Sequence, residues 1–149
     1  MDETHRRHQL SQSLLLRLRF LRESANGNEL VIRIHTICDR LVFGVESELF
    51  EQALAEVAKV IGVSSSRPEK MVGRGPDCLW LGPDGTFLVI EAKDEVELTR
   101  TEIHKSETEQ LLHSLEWFKQ EYPGKAARAL IVHPATRLRT LPSFQVKGV

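Results

Sequence analysis

No run of about 18 or more apolar residues occurs in this 149-residue chain, so nothing in it has the uninterrupted apolar length of a membrane-crossing helix. An export signal is missing from the first residues too. Asp2 and Glu3 precede HRRH, and the apolar SLLLRLRFL is broken by Arg17 and Arg19. Cysteine is scarce: Cys38 and Cys78 lie in separate segments, and two isolated thiols cannot build a zinc site. They read as reduced core residues, which goes with a cytoplasmic location. There is no internal repeat and no low-complexity tract. Nor is either charge in excess. Lys and Arg total 20 against 21 Asp and Glu, so the chain lacks the strong basic field of many nucleic-acid binders.

The charge that is present is unevenly spread. From Asp94 to Glu121 acids outnumber bases, whereas Lys125, Arg128, Arg137, Arg139 and Lys147 follow Pro123 with no acid among them. That tail reads either as a phosphate-facing segment or as a solvated strand and loop. Leu10 to Arg22 is a basic helix candidate with Leu14, Leu18 and Leu21 on one stripe. Residues 29–43, ELVIRIHTICDRLVF, fit a strand or a helix. ESELFEQALAEVAKVIG reads as a helix with Phe50, Leu54, Val57 and Ile61 on one face and Gly62 as its stop. SSSRPEKMVGRG reads as a loop with a short strand near its start. SETEQLLHSLEWFKQEYPG is the clearest helix. Ser106 and Glu109 suit a capping box, Leu111, Leu115, Phe118 and Tyr122 form the buried stripe, and Pro123-Gly124 ends it. RALIVH, 128–133, is a short strand that the intervening helix would place parallel to an earlier one. Helix, hairpin, helix, strand makes a small mixed α/β domain over 44–149, with 1–43 as a partly helical appendage or linker.

The tripeptide GPD occurs twice, at 75–77 and 82–84. In the second, Pro83 presets φ, Asp84 suits the next turn position, and Gly85 accepts a left-handed conformation. That is a three-residue hairpin loop with a bulge. It sets a register in which Gly82 pairs with Thr86, Leu81 with Phe87, Leu79 with Val89, and Asp77 with Glu91. Opposed residues share a face with Cβ atoms roughly 4.5–5.5 Å apart, and alternation adds Lys93 to that face. Asp77, Glu91 and Lys93 should therefore meet at the open end of the hairpin. Asp84 sits at the tip, roughly 23 Å from Glu91 at about 3.3 Å per residue, and is a turn residue.

Two close carboxylates repel unless a cation lies between them. Mg²⁺ binds through one or two carboxylates and fills its shell with water and substrate oxygens, and it acidifies bound water and polarises phosphoryl oxygens. A lysine beside it can orient the attacking water or stabilise developing charge. This is a phosphodiester-hydrolysis constellation. Gly75-Pro76-Asp77, a hairpin-length gap and Glu91-Ala92-Lys93 resemble the PD-(D/E)XK nuclease superfamily, with its restriction-endonuclease-like α/β fold, over about residues 46–134. RPEKMVGRGPDCLWL, FLVIEAK, IHKSETEQLLHSLEWF and VHP are similar to the nuclease-like module found C-terminal to some bacterial DEAD/DEAH-box helicases.

The resemblance implies Asp77, Glu91 and the Ala92 carbonyl as ligands of Mg²⁺ or Mn²⁺, and Lys93 as the catalytic lysine. It implies a further glutamate from the preceding helix, best matched by Glu51, with Glu48 and Glu46 as alternatives. Gln110 matches a glutamine that some members place beside the site, with Lys105 accompanying it. The tyrosine that follows such a glutamine by four residues is Ser114 here. The implied activity is metal-dependent hydrolysis of nucleic acid, DNA before RNA. The alternatives are a catalytically silent domain binding nucleic acid or a partner protein, and a small RNA-cleaving effector. Near-zero net charge points to a helicase or other partner that delivers the substrate. His5 and His8, at helical spacing with no third ligand, read as surface residues, and His133 as a satisfied strand-end histidine. Trp80 and Trp117 read as core or core-edge.

Overall fold

The computed structural model describes residues 3–135 and 137–138. Among them the chain forms helices α1 (Glu3–Arg22), α2 (Gly27–Arg40), α3 (Ser47–Ile61), α4 (Pro68–Val72) and α5 (Lys105–Glu121). The strands are β1 (Ser64–Ser66), β2 (Cys78–Leu81), β3 (Phe87–Ala92), β4 (Glu102–Ile103), β5 (Ala127–Val132) and β6 (Arg137–Leu138). A mixed sheet has the order β1-β2-β3-β5, and β4 and β6 form a separate two-stranded parallel sheet. The class is mixed α/β. Arg139 and Lys147 of the basic tail lie outside the described residues, and no helix among those described is long and apolar enough to cross a membrane.

The ambiguous segment 29–43 is mostly helix α2. Asn26 caps it by accepting a 3.0 Å hydrogen bond from the Glu29 amide. Leu30, Ile34, Ile37 and Leu41 then recur at helical spacing and pack with Phe20 and Ala53, a pattern an alternating strand could not present. Cys38 falls outside this stripe and is exposed, contrary to the core position expected of it. Cys78 is buried, and burial pushes its thiol up to about 12.

α3 lies between the sheet and the two N-terminal helices. Phe50 and Leu54 pack against Cys78, Ile90 and Ala92, while Ala53 meets Phe20 and Ile37. The stripe expected from sequence therefore needs correction. Ala53 and Ala58 take buried places, Val57 is half-buried, and Ile61 is 42 % exposed, because α3 is covered on two flanks. Gly62 ends the helix at φ 78° as expected. A Cβ there would lie 2.6 Å from the Ser13 carbonyl oxygen, and Arg17 donates to the Ile61 carbonyl at 3.0 and 2.8 Å. α1 thus closes the C-terminal end of α3.

The hairpin has the register that its turn implies: Leu81 pairs with Phe87, Leu79 with Val89 and Cys78 with Ile90. Gly82 N donates to Thr86 O at 2.9 Å and Gly85 has φ 80°. β5 returns parallel to β3, also as expected. α5 starts earlier than the sequence suggested. His104 is its N-cap and donates its amide to the Glu107 carboxylate at 2.7 Å, while Glu109 pairs with Lys105 at 3.1 Å instead of capping. Ser114 and Phe118 are the buried residues of α5; Leu111, Leu115 and Tyr122 are half-buried. Phe118 fills the space over Leu79 and Val89, a burial worth about 1.5–3 kcal/mol.

The stretch read as a loop contains β1, as its short strand, and an unexpected helix, α4. Pro68 at the first helical position and left-handed Gly73 after the last delimit it. The Glu69 amide donates to the Pro76 carbonyl at 3.3 Å, which holds α4 against the approach to β2.

Candidate functional site

The register of β2 and β3, carried one residue further, sets Asp77 opposite Glu91. Both are deeply buried, at 5 % and 1 % exposure. The Ala92 amide donates to Asp77 Oδ2 at 2.7 Å, and Ser114 Oγ donates to Glu91 Oε1 at 2.5 Å. Lys93 Nζ stands 3.4 Å from Glu91 Oε2 and is half-buried. Lys93 is fixed from two sides. Its amide donates to the Val132 carbonyl at 2.8 Å. The following residue, Asp94, accepts from Ser47 Oγ at 3.1 Å at the N-terminus of α3, where a carboxylate is favoured by the helix dipole.

Burial, and then the charge of Asp77, raise the Glu91 carboxyl above the usual range, while Ser114 and Lys93 oppose the shift. A third carboxyl comes from α4. Glu69 forms a hydrogen bond with the Asp77 carboxylate that, with burial and the Asp77 charge, pushes it up to about 7. Glu69 itself is exposed, so water screens its longer-range repulsions, and the direct carboxyl–carboxylate bond is the decisive cause. A cavity of about 290 Å³ opens here, with Glu69, Glu91, Gln110, Ser114 and Trp117 among its walls.

Of the residues named from sequence, Asp77, Glu91, Ala92 and Lys93 meet, and Gln110 borders the same cavity. Lys105 is elsewhere, exposed and paired with Glu109. Glu51 is close enough for the Asp77 charge to act on it, and burial sets its carboxyl above the usual range. It is nonetheless engaged by Arg67. Arg67 also holds Glu48 at 2.8 and 3.1 Å, and Lys70 joins Glu48 at 3.0 Å, so that the Glu48 carboxyl falls to about 2. Glu46 is the N-cap of α3 and makes no side-chain capping bond. Asp84 is confirmed at the turn. It accepts from Thr86 N and Oγ1 at 2.9 and 3.0 Å, which lowers its pKa. His133 is satisfied at the end of β5 by the Ala135 amide, 2.8 Å from its Nδ1, beside Arg100 and Glu107.

Sequence reasoning missed Glu69, Ser114, Arg67 and Asp94. Only RPE carried a signal, since proline followed by glutamate suits a helix start. The role of Ser114 depends on the rotation of α5, which spacing alone does not reveal.

The donor set suits a hard divalent cation. Two buried carboxylates lie opposite one another, Glu91 of the pair stands beside Lys93, and a third carboxyl, Glu69, approaches Asp77 from α4. Among the described residues no three such side chains are already gathered as a ready-made metal-binding group. Water and substrate oxygens would have to complete the shell, as they do for Mg²⁺. No protein-family model matches the chain, and no curated protein or solved structure matches it either.

Proposed function

We propose that this chain is a metal-dependent nuclease of the PD-(D/E)XK type, with a restriction-endonuclease-like core, that hydrolyses phosphodiester bonds, in DNA before RNA. The observation that carries the reading is the meeting of Asp77, Glu91 and Lys93 at the open end of the hairpin, with both carboxylates nearly removed from water. Asp77, Glu91 and the Ala92 carbonyl would hold Mg²⁺ or Mn²⁺. The bound ion supplies acidified water and a polarised phosphoryl oxygen. The chain's own residues do the rest. The Ala92 amide and Ser114 hydroxyl each hold one carboxylate oxygen, which orients the two acids. Lys93 stabilises charge on the phosphate or orients the attacking water. Gln110 stands at the cavity wall for substrate contact. A helicase or other partner brings the nucleic acid, and a cytoplasmic place belongs to the same proposal.

The second reading is a nuclease-like domain that binds nucleic acid or a partner protein without cutting. Arg67 favours it, because it engages the helix glutamates Glu51 and Glu48 that would otherwise extend the site.

Cleavage of labelled single- and double-stranded DNA and RNA in Mg²⁺, Mn²⁺ or EDTA separates the two. Metal-dependent cutting that falls at least about a hundredfold in Lys93→Ala and persists in Asp84→Ala is the expected result. Tight, metal-independent binding with no cutting of any substrate overturns the nuclease reading in favour of the second.

A further inference from the structure

A second cavity, of about 390 Å³, adjoins the carboxylate cavity, and the two share Arg74 and Trp117 as walls. Its lining is unlike that of its neighbour. Trp117 and Tyr122 stand edge to face at 67°, ring centroids 6.2 Å apart, and form an aromatic corner. Met71 and Val72, at the end of α4, complete an apolar lining while remaining 72 % and 61 % exposed. Arg74 and Glu121 pair across 3.1 Å at the rim, both exposed. Gly75 ties this pocket to the acids. At φ 99° it lies so flat on the indole that a Cβ would come 2.9 Å from Trp117, and Asp77 is only two residues on.

We infer that this pocket binds one unpaired nucleobase, next to the phosphate held at Asp77 and Glu91, and that the preferred substrate is a single strand or an extruded nucleotide. The inference rests on the nuclease-type reading of the carboxylate site. A phosphate placed there carries its own nucleoside, and the adjoining pocket is the apolar space within reach. Tyr122 is itself stacked on Phe118, ring centroids 5.0 Å apart, so a base would lie against the parts of Trp117 and Tyr122 that line the pocket, and a methionine adapts to its outline. Arg74, between the cavities, can exchange Glu121 for the phosphate. A base paired within a duplex cannot turn into the pocket without leaving the stack.

The test uses the full chain carrying Lys93→Ala, so that strands are bound and not cut, in Mn²⁺. Trp80→Phe leaves Trp117 as the one remaining tryptophan of two. The probes are a fluorescein-labelled oligothymidylate of about twelve nucleotides, its duplex with oligoadenylate, and single strands in which each position in turn is abasic. We expect at least tenfold tighter binding of the single strand than of the duplex, with quenching of Trp117 emission. One abasic position, or Met71→Ala with Val72→Ala, should remove that preference and leave duplex binding unchanged. These two side chains are exposed, so folding is not at stake. Equal affinity for both forms, unchanged Trp117 emission, or indifference to the Met71 and Val72 changes overturns the inference. If wild type still cuts under those circumstances, the nuclease reading survives alone. Quenching and strand preference without cutting by wild type would leave the base pocket standing and remove the nuclease reading.

Discussion

Gly75-Pro76-Asp77 and Gly82-Pro83-Asp84 are the same three residues at opposite ends of one hairpin, and their surroundings make them chemically different. Asp84 is in water, bonded to Thr86 of its own turn, and held below the usual carboxylate range. Asp77 is buried, bonded to the Ala92 amide, and surrounded by Glu51, Glu69 and Glu91. Gly82 begins a turn, whereas Gly75 allows the backbone to lie on the Trp117 indole. Asp84 does local work that a turn requires. Asp77 stands among like charges, which repel unless a proton or a cation lies between them.

That contrast can be broken most severely at the acids themselves. Asp77→Asn keeps an acceptor for the Ala92 amide but removes a charge. Mn²⁺ affinity, followed by calorimetric titration, should fall more than about tenfold, while the metal-free melting temperature rises. Asp84→Asn should leave the Mn²⁺ affinity unchanged and should not raise the melting temperature, since it weakens the bonds to Thr86. An unchanged Mn²⁺ affinity in Asp77→Asn would mean that the buried carboxylates are not a metal site.

A smaller effect distinguishes the glycines. Gly75→Ala and Gly85→Ala both place a side chain at positive φ, costing roughly 1–2 kcal/mol each. Gly85 opens on free space, but Gly75 meets Trp117 and should lose about a further 1–3 kcal/mol to overpacking. Denaturant unfolding of the two variants measures the difference directly, and equal losses would show that the Trp117 contact is dispensable.

The smallest effect is in pH dependence. The Glu69 carboxyl rises from 4.5 to about 7, so between those values the folded chain holds a proton that the unfolded chain has released. The stabilisation is complete below the lower value and is lost as pH rises through the upper one. The metal-free melting temperature should therefore fall between pH 5 and 8, and Glu69→Gln should flatten that slope. Added Mn²⁺ should restore more at pH 8 than at pH 5. Glu48, lowered to about 2, acts in the opposite sense and in a different window, losing its contribution only as pH falls toward that value.

Much of this contrast was legible in the residues. Pro83, Asp84 and Gly85 specify a loop, the loop specifies a register, and the register brings Asp77, Glu91 and Lys93 together. All of that is local chemistry. Local reasoning failed where a partner decides. ELVIRIHTIC has the β-branched composition of a strand, and the Asn26 cap and the packing against α3 make it helical. Ser106 and Glu109 form as good a capping pattern as His104 and Glu107, but Arg100 engages Glu107 and the earlier start prevails. Glu69 joins the acids only because the Pro76 carbonyl accepts its amide, a contact between segments that no spacing encodes.

The position of β3 between β2 and β5 also governs how the protein comes off the ribosome. β2, the turn and β3 are contiguous, so the hairpin can close as soon as it emerges. Its other neighbour arrives only after the 93–101 loop and all of α5 have been synthesised. Through that interval β3 offers an unpaired row of amides and carbonyls beside the apolar Val89 and Ile90, a template for any other extended chain nearby. A chain truncated within α5 should therefore yield an aggregating fragment rather than a weakened protein, and the growing chain depends on prompt docking of β5 or on a chaperone that shields the edge until then.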